Sequence, residues 1–173
     1  MMTAVGRRPR RWLLALLVAA VLTGLDQGTK ALALRTMECC AREPLLGGFL
    51  GLQLSFNPGS ILGLGSGSTW LLTLAGVLAF CGLTRIALWA PSRWWALATG
   101  LLWGGVTGNL LDRLLAPPGF GQGHVTDFLA YGDLFVGNLA DVWLTFGAAL
   151  AAALLMREAL RDPFDQRPVA PSE

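Results

Sequence analysis

Apolar residues run almost unbroken through four stretches of the chain: Trp12 to about Leu34, Trp70 to Ala90, Trp94 to about Leu115, and about Asn138 to Met156. A bilayer core about 30 Å thick is crossed by about 20 residues of helix, so each stretch has the length of a span. The second and third are separated only by Pro91, Ser92 and Arg93, whereas residues 35–69 and 116–137 form two long connections. The pattern changes inside the first of these. From Leu50 to Asn57 it alternates strictly, with Leu50, Leu52, Leu54 and Phe56 on one side and Gly51, Gln53, Ser55 and Asn57 on the other. That is the period of a half-buried strand. Asn57-Pro58-Gly59 then makes a turn, and the glycine-rich residues 59–67 let backbone approach a ligand closely. The second connection opens with Pro117-Pro118-Gly119 and continues into Val125-Thr126-Asp127-Phe128, a carboxylate between apolar neighbours that is expected to fold back over the helices.

Composition agrees with this pattern. The 173 residues are 54% hydrophobic and 14% charged, whereas a soluble domain carries about 25% charge. Disorder, a disulfide scaffold and nucleic-acid binding are excluded, the last because a net charge of +2 is spread over 13 basic residues without a single patch. Cys39 and Cys40 are adjacent and Cys81 sits in an apolar run, so no metal or disulfide spacing is present. The expectation is one integral membrane domain over residues 1–173, with spans 12–34, 70–90, 94–115 and 138–156 and tails 1–11 and 157–173. The tail from Asp162 to Glu173, with three prolines, reads as disordered.

Orientation follows from the arginines, which short cytoplasmic segments accumulate. Arg7, Arg8, Arg10 and Arg11 precede span one, Arg85 and Arg93 flank the short turn, and Arg157, Arg161 and Arg167 follow span four. Both termini are therefore expected in the cytoplasm and both long connections outside. The run Trp12 to Leu25, ending near Leu22-Thr23-Gly24, also has the form of a cleavable signal peptide. The polar residues immediately after it mark it instead as a retained span.

Charges within spans are costly and point to function. At 1.5 Å per residue, a helix starting at Trp12 reaches Asp26 after about 21 Å and Lys30 after about 27 Å. A span starting near Trp94 reaches Asn109 after about 22 Å and Asp112 after about 27 Å. Span four begins outside, so Asn138 and Asp141 fall in its first turn or so. Spacings of three and four put each pair on one helix face. A plain ion pair or a snorkelling side chain would account for any one of these residues. Six at one outer depth on three helices point to a site.

The inventory then narrows the chemistry. A zinc centre needs several His or Cys ligands and the only histidine is His124. No serine lies in a nucleophile elbow. Carboxylates remain. Two close aspartates in a low-dielectric setting share a proton, one serving as base on water and the other polarising a carbonyl. By spacing alone Asp112, Asp127 and Asp141 are all candidates, and Asp26 is less suited because Lys30 holds it ionised.

Five blocks, Asp26-Gln27-Gly28-Thr29-Lys30, Asn57-Pro58-Gly59, Gly104-Gly105-Val106-Thr107-Gly108-Asn109-Leu110-Leu111-Asp112-Arg113, Val125-Thr126-Asp127-Phe128 and Asn138-Leu139-Ala140-Asp141, resemble in order the signatures of the bacterial lipoprotein signal peptidase (signal peptidase II) family. The resemblance implies a membrane all-α bundle of four transmembrane helices with a small extracytoplasmic β-cradle and a periplasmic loop or helix. It implies an aspartyl endopeptidase that cuts prolipoproteins before the diacylglyceryl-cysteine, with Asp127 and Asp141 as catalytic dyad. Asn109, Asp112, Arg113, Asn138 and Ala140 would shape the site, and Asp26, Lys30, Asn57 and Gly59 would support it or contact substrate. On this ground Asp112 leaves the dyad. The sequence departs from the family at Ser60-Ile61-Leu62, where the third position is usually Phe, and at Gly137, usually aromatic.

The expected partners are diacylglyceryl-modified prolipoproteins and membrane lipid, with no nucleic acid, metal or organic cofactor. The expected place is the bacterial cytoplasmic (inner) membrane, with a monomer whose site lies near the outer face. The alternatives are a divergent non-cleaving paralogue, a scaffold without chemistry, and a small transporter or channel component. A transporter needs ionisable residues along the whole span, and the cytoplasmic halves of spans three and four carry none apart from flanking arginines.

Overall fold

The computed structural model describes residues 10–39, 41–59 and 69–160. Four helices, α1 (Arg11–Thr36), α2 (Thr69–Leu88), α3 (Arg93–Leu115) and α4 (Leu139–Ala159), are joined at one end by the short 89–92 turn. At the other end the two long connections supply strands β1 (Arg42–Leu46), β2 (Leu50–Asn57), β3 (Val125–Tyr131) and β4 (Phe135–Gly137). The glycine-rich residues 60–67, including the Ser60-Ile61-Leu62 departure, lie outside the described residues. So do Cys40 and the tail from Asp162.

Helices α1, α2 and α4 are each long and apolar enough to cross a membrane. Their outward side chains need an apolar solvent: Leu17 of α1 is 62% exposed and Leu78 of α2 is 64% exposed. Helix α3 is as long but carries four glycines, three threonines or polar amides, and Asp112. It lies against all three other helices, so its polar side chains meet protein instead of lipid.

Small residues set this packing, as expected where burial from water does not drive helices together. Ala15 of α1 and Ala96 and Ala98 of α3 are fully buried. A Cβ on Gly100 would lie 2.8 Å from the Ala15 carbonyl oxygen, and one on Gly105 would lie 2.7 Å from that of Ala140. Both α1 and α4 therefore approach α3 backbone to backbone. Ser92 caps α3, its hydroxyl accepting from the Trp95 N–H at 3.2 Å.

The strands form one antiparallel sheet in the order β1-β2-β3-β4. Strand β2 matches the predicted limits, but its alternation does not translate into one buried face. Pairing with β3 shifts between Leu52 and Ser55, and this bulge turns Phe56 outward while Leu54 stays buried. Leu54 and Phe128 pack on Ala33 of α1, which seats the sheet on the end of the bundle opposite the 89–92 turn. The Val125-Thr126-Asp127-Phe128 block is the first half of β3, buried throughout and paired with β2, while β4 pairs only with the second half, from Leu129 to Tyr131.

Candidate active site

The polar layer predicted from depth is a connected hydrogen-bond network. Its base is the Lys30 ammonium, held between two aspartates. Nζ lies 2.8 Å from Asp26 Oδ2 and 2.9 Å from Asp112 Oδ2, and it donates to Asn109 Oδ1 at 3.1 Å. Asp26 is fully buried. Its Oδ1 accepts the Ala140 backbone N–H at 2.8 Å, so a carboxylate of α1 sits at the positive end of α4. The contribution of Ala140 is thus its main chain.

The helix-start signals of α4 supply the next tier. Asn138 is the N-cap: its Oδ1 accepts from the Asp141 N–H at 3.1 Å, while Asp141 Oδ2 accepts from the Asn138 N–H at 3.0 Å. This reciprocal pair is a capping box. Its remaining groups bind the site. Asn138 Nδ2 donates to Asp127 Oδ1 at 2.6 Å and to Asn109 Oδ1 at 3.0 Å. Asn109 Nδ2 donates to Asp141 Oδ1 at 3.0 Å. Asn57, at the end of β2, donates to Asp127 Oδ2 at 3.1 Å and accepts from the Gly59 N–H at 2.7 Å.

Asp127 and Asp141 are therefore linked through two amides, and among the described residues no cation is bonded to either. Burial pushes the Asp127 carboxyl up to about 7, with the Asp141 charge adding to the rise; Asn57, Asn138 and Lys30 oppose it. Near neutral pH the pair thus holds a proton that an isolated aspartate would have lost.

Asp112, which spacing left as a candidate, is committed elsewhere. Besides Lys30, it accepts the Gln27 amide at 3.0 Å on Oδ1 and the Thr126 backbone N–H at 3.0 Å on Oδ2. It fixes β3, and with it Asp127, to α3. Arg113 braces two loops, donating to the Pro58 and Gly123 carbonyls at 3.4 Å each. Gly59 adopts φ 107°, and a Cβ there would lie 3.3 Å from Arg113 Nη2 and would overlap Leu72. Here glycine is required by both conformation and space.

Two participants escaped the sequence reading. Gln27 Nε2 contacts Asp26 Oδ2 at 3.2 Å, the Gly108 carbonyl at 3.0 Å and Asp112, tying α1 to α3. An amide midway between Asp26 and Lys30 in an apolar helix was the available signal. The other is Tyr131, the one tyrosine of the chain, stacked on Phe135 at 4.7 Å. Its hydroxyl is pushed upward by burial and by the Asp141 charge. A Cβ on Gly137 would lie 2.8 Å from Asp141 Oδ2 and 3.3 Å from the Phe135 ring. Position 137 is thus crowded by Asp141 and Phe135, with Tyr131 beside them, and glycine there leaves room for the Asp141 carboxylate. His124 lies apart from the network, lining an apolar cavity of about 490 Å³ with Leu34, Phe56 and Pro117.

A family model described as signal peptidase (SPase) II matches residues 18–157. The chain belongs to the signal peptidase II family. The matched segment contains the whole network from Asp26 to Asp141. A lipoprotein signal peptidase of Rhodococcus jostii is 41% identical over 85% of this chain and 74% of its own length. One from Leifsonia xyli is 44% identical over 77% of this chain and 62% of its own, and one from Mycobacterium avium 38% over 86% and 81%. Two solved bacterial membrane enzymes share the fold. One, at 2.3 Å resolution, has TM-score 0.76 and 24% identity, covering 90% of this chain and 93% of that one. The other, at 1.9 Å, has TM-score 0.72 and 26% identity, covering 86% and 93%.

Proposed function

We propose that this signal peptidase II family member removes the signal peptide from prolipoproteins as an aspartyl endopeptidase, with Asp127 and Asp141 as its dyad. The carrying observation is that these two aspartates share the Asn138–Asn109 bridge and have no cation bonded to them among the described residues, while Asp26 and Asp112 both pair with Lys30. Lys30, Asn57, Asn109, Arg113 and Asn138 hold the dyad in place, and Gly59 keeps the turn after β2 close to Arg113.

Asp141 acts as base on a water, whose oxygen attacks the scissile carbonyl carbon, while the Asp127 proton polarises the carbonyl oxygen. Collapse of the tetrahedral intermediate breaks the C–N bond, and the leaving amine takes a proton from the dyad. No metal or organic cofactor is required. In this reading the enzyme is a monomer.

All four helices span the inner membrane of a bacterium in this reading, including α3, which the other three shield from lipid. Both termini are cytoplasmic and the dyad lies near the outer face. The substrate is a signal helix in the same bilayer, whose bond to the diacylglyceryl-cysteine reaches that depth together with its acyl chains. The test compares a diacylated precursor with the same precursor bearing an unmodified cysteine. The lipidated form is cut and the other is not; efficient cutting of both contradicts the assignment.

A further inference from the structure

The end of the bundle opposite the carboxylate layer carries a second concave feature. A cavity of about 510 Å³ opens between the start of α1 and the α2–α3 turn, lined by Arg10, Arg11, Trp12, Leu88, Trp89 and Pro91 among others. Arg11 and Asp26 are 15 positions apart on α1, or about 22 Å, so the cavity is no part of the peptidase site.

Its chemistry is divided. Arg10 and Arg11 supply two cations to the lining, and the Arg11 guanidinium is anchored by donating to the Pro91 carbonyl. The Arg85 guanidinium lies 5.2 Å from the centre of the Trp89 ring, and Arg93, just past the turn, lies 5.7 Å from that of Trp94. The rest of the lining is apolar and includes Trp12, Ala87, Leu88 and Trp89. Of these, Trp12, Leu88 and Trp89 are also exposed on the outward surface, as are Leu13 and Ile86 close to them in the sequence. Tryptophan and arginine at a span end mark the depth of lipid headgroups, and basic pockets between spans at that depth take anionic headgroups.

We propose that this cavity binds one anionic phospholipid, its phosphate between Arg10 and Arg11 and the start of an acyl chain along Leu88, Trp12 and Trp89. Charge complementarity selects an anionic lipid, and continuity with the lipid-facing surface separates it from a free anion. Among the described residues the titratable groups lining the cavity are Arg10 and Arg11, so binding is insensitive to pH between 6 and 8 and weakens with salt.

The test is native mass spectrometry of the full-length protein in a nonionic detergent, titrated with phosphatidylglycerol or with phosphatidylcholine of the same chain length. Phosphatidylglycerol is expected to be retained at least about fivefold better, and Arg10→Gln with Arg11→Gln to weaken it by about tenfold or more. Arg10→Gln alone, which leaves the contact with Pro91 intact, weakens it by about fivefold and serves if the double variant does not fold. Arg157→Gln, at the same end but outside the cavity, leaves binding within about twofold, and millimolar inorganic phosphate does not displace the lipid. Equal retention of the two lipids, an equal loss in Arg157→Gln, or displacement by inorganic phosphate overturns the proposal.

Discussion

Asn138 Nδ2 stands 2.6 Å from Asp127 Oδ1 while the rest of the same residue caps the helix that carries Asp141. One side chain therefore both starts α4 and joins the two aspartates. Asn138→Ala is expected to cost about 1–2 kcal/mol through the lost cap and more through the unsatisfied carboxyl. Turnover per folded molecule should fall by about 10²-fold or more as Asp127 loses its alignment. Asn138→Asp retains a capping oxygen and recovers part of the stability, but puts a third acid beside the dyad and does not recover turnover. Thermal unfolding and cleavage rates on the same preparations separate the two effects.

Close packing around Asp26 gives a paired prediction. A Cβ on Gly108 would lie 2.5 Å from Asp26 Oδ2 and 3.2 Å from the Ala140 Cβ, whereas one on Gly82 of α2 meets nothing within 4 Å. Gly108→Ala should therefore destabilise by about 1–3 kcal/mol as α1 and α4 are forced from α3. Gly82→Ala should be neutral or stabilising by up to about 1 kcal/mol. Unfolding midpoints in one detergent check both.

For Asp112 the prediction is structural. Asp112→Asn weakens the contact with Lys30 and sets an amide where a carboxylate now accepts from Lys30, Gln27 and the Thr126 N–H. Breaking such a buried pair costs about 3–5 kcal/mol. The folded yield and melting temperature should drop, while the molecules that do fold retain turnover well above that of the dyad variants. A cleavage rate normalised to folded protein measures this.

The raised Asp127 carboxyl links pH to both rate and stability. Cleavage needs its proton, so kcat/KM should fall on the alkaline side with a midpoint near pH 7. For stability the sign is set by a folded value above the unfolded value of about 3.9. Below pH 4 both states are protonated and the group costs nothing. Between about pH 4 and 7 the unfolded state loses its proton first, so stability falls as pH rises and levels off above 7. Wild type should be less stable at pH 8 than at pH 5, and Asp127→Asn should lose most of that difference.

Much of this arrangement is legible in the sequence. The helix limits differ from the predicted spans by a few residues, and depth counting on three helices grouped Asp26, Lys30, Asn109, Asp112, Asn138 and Asp141, which the network joins. Periodicity failed where pairing decides. The bulge between Leu52 and Ser55 depends on the partner strand, and so does the exposure of Phe56. Spacing did not separate Asp112 from Asp127 and Asp141, because what commits Asp112 is Lys30 on another helix and a backbone N–H from β3, 14 residues away. Gln27 was in view within its motif, but its contacts with Gly108 and Asp112 arise only when α1 packs on α3.

The central claim is the identity of the dyad, and the most direct test is cleavage of a diacylated prolipoprotein by purified wild type, Asp127→Asn, Asp141→Asn and Asp112→Asn, each normalised to folded protein. Loss of about 10³-fold or more is predicted for each of the first two, with Asp112→Asn retaining measurable turnover. Wild-type rates in Asp127→Asn and Asp141→Asn, or complete loss confined to Asp112→Asn, contradict the account.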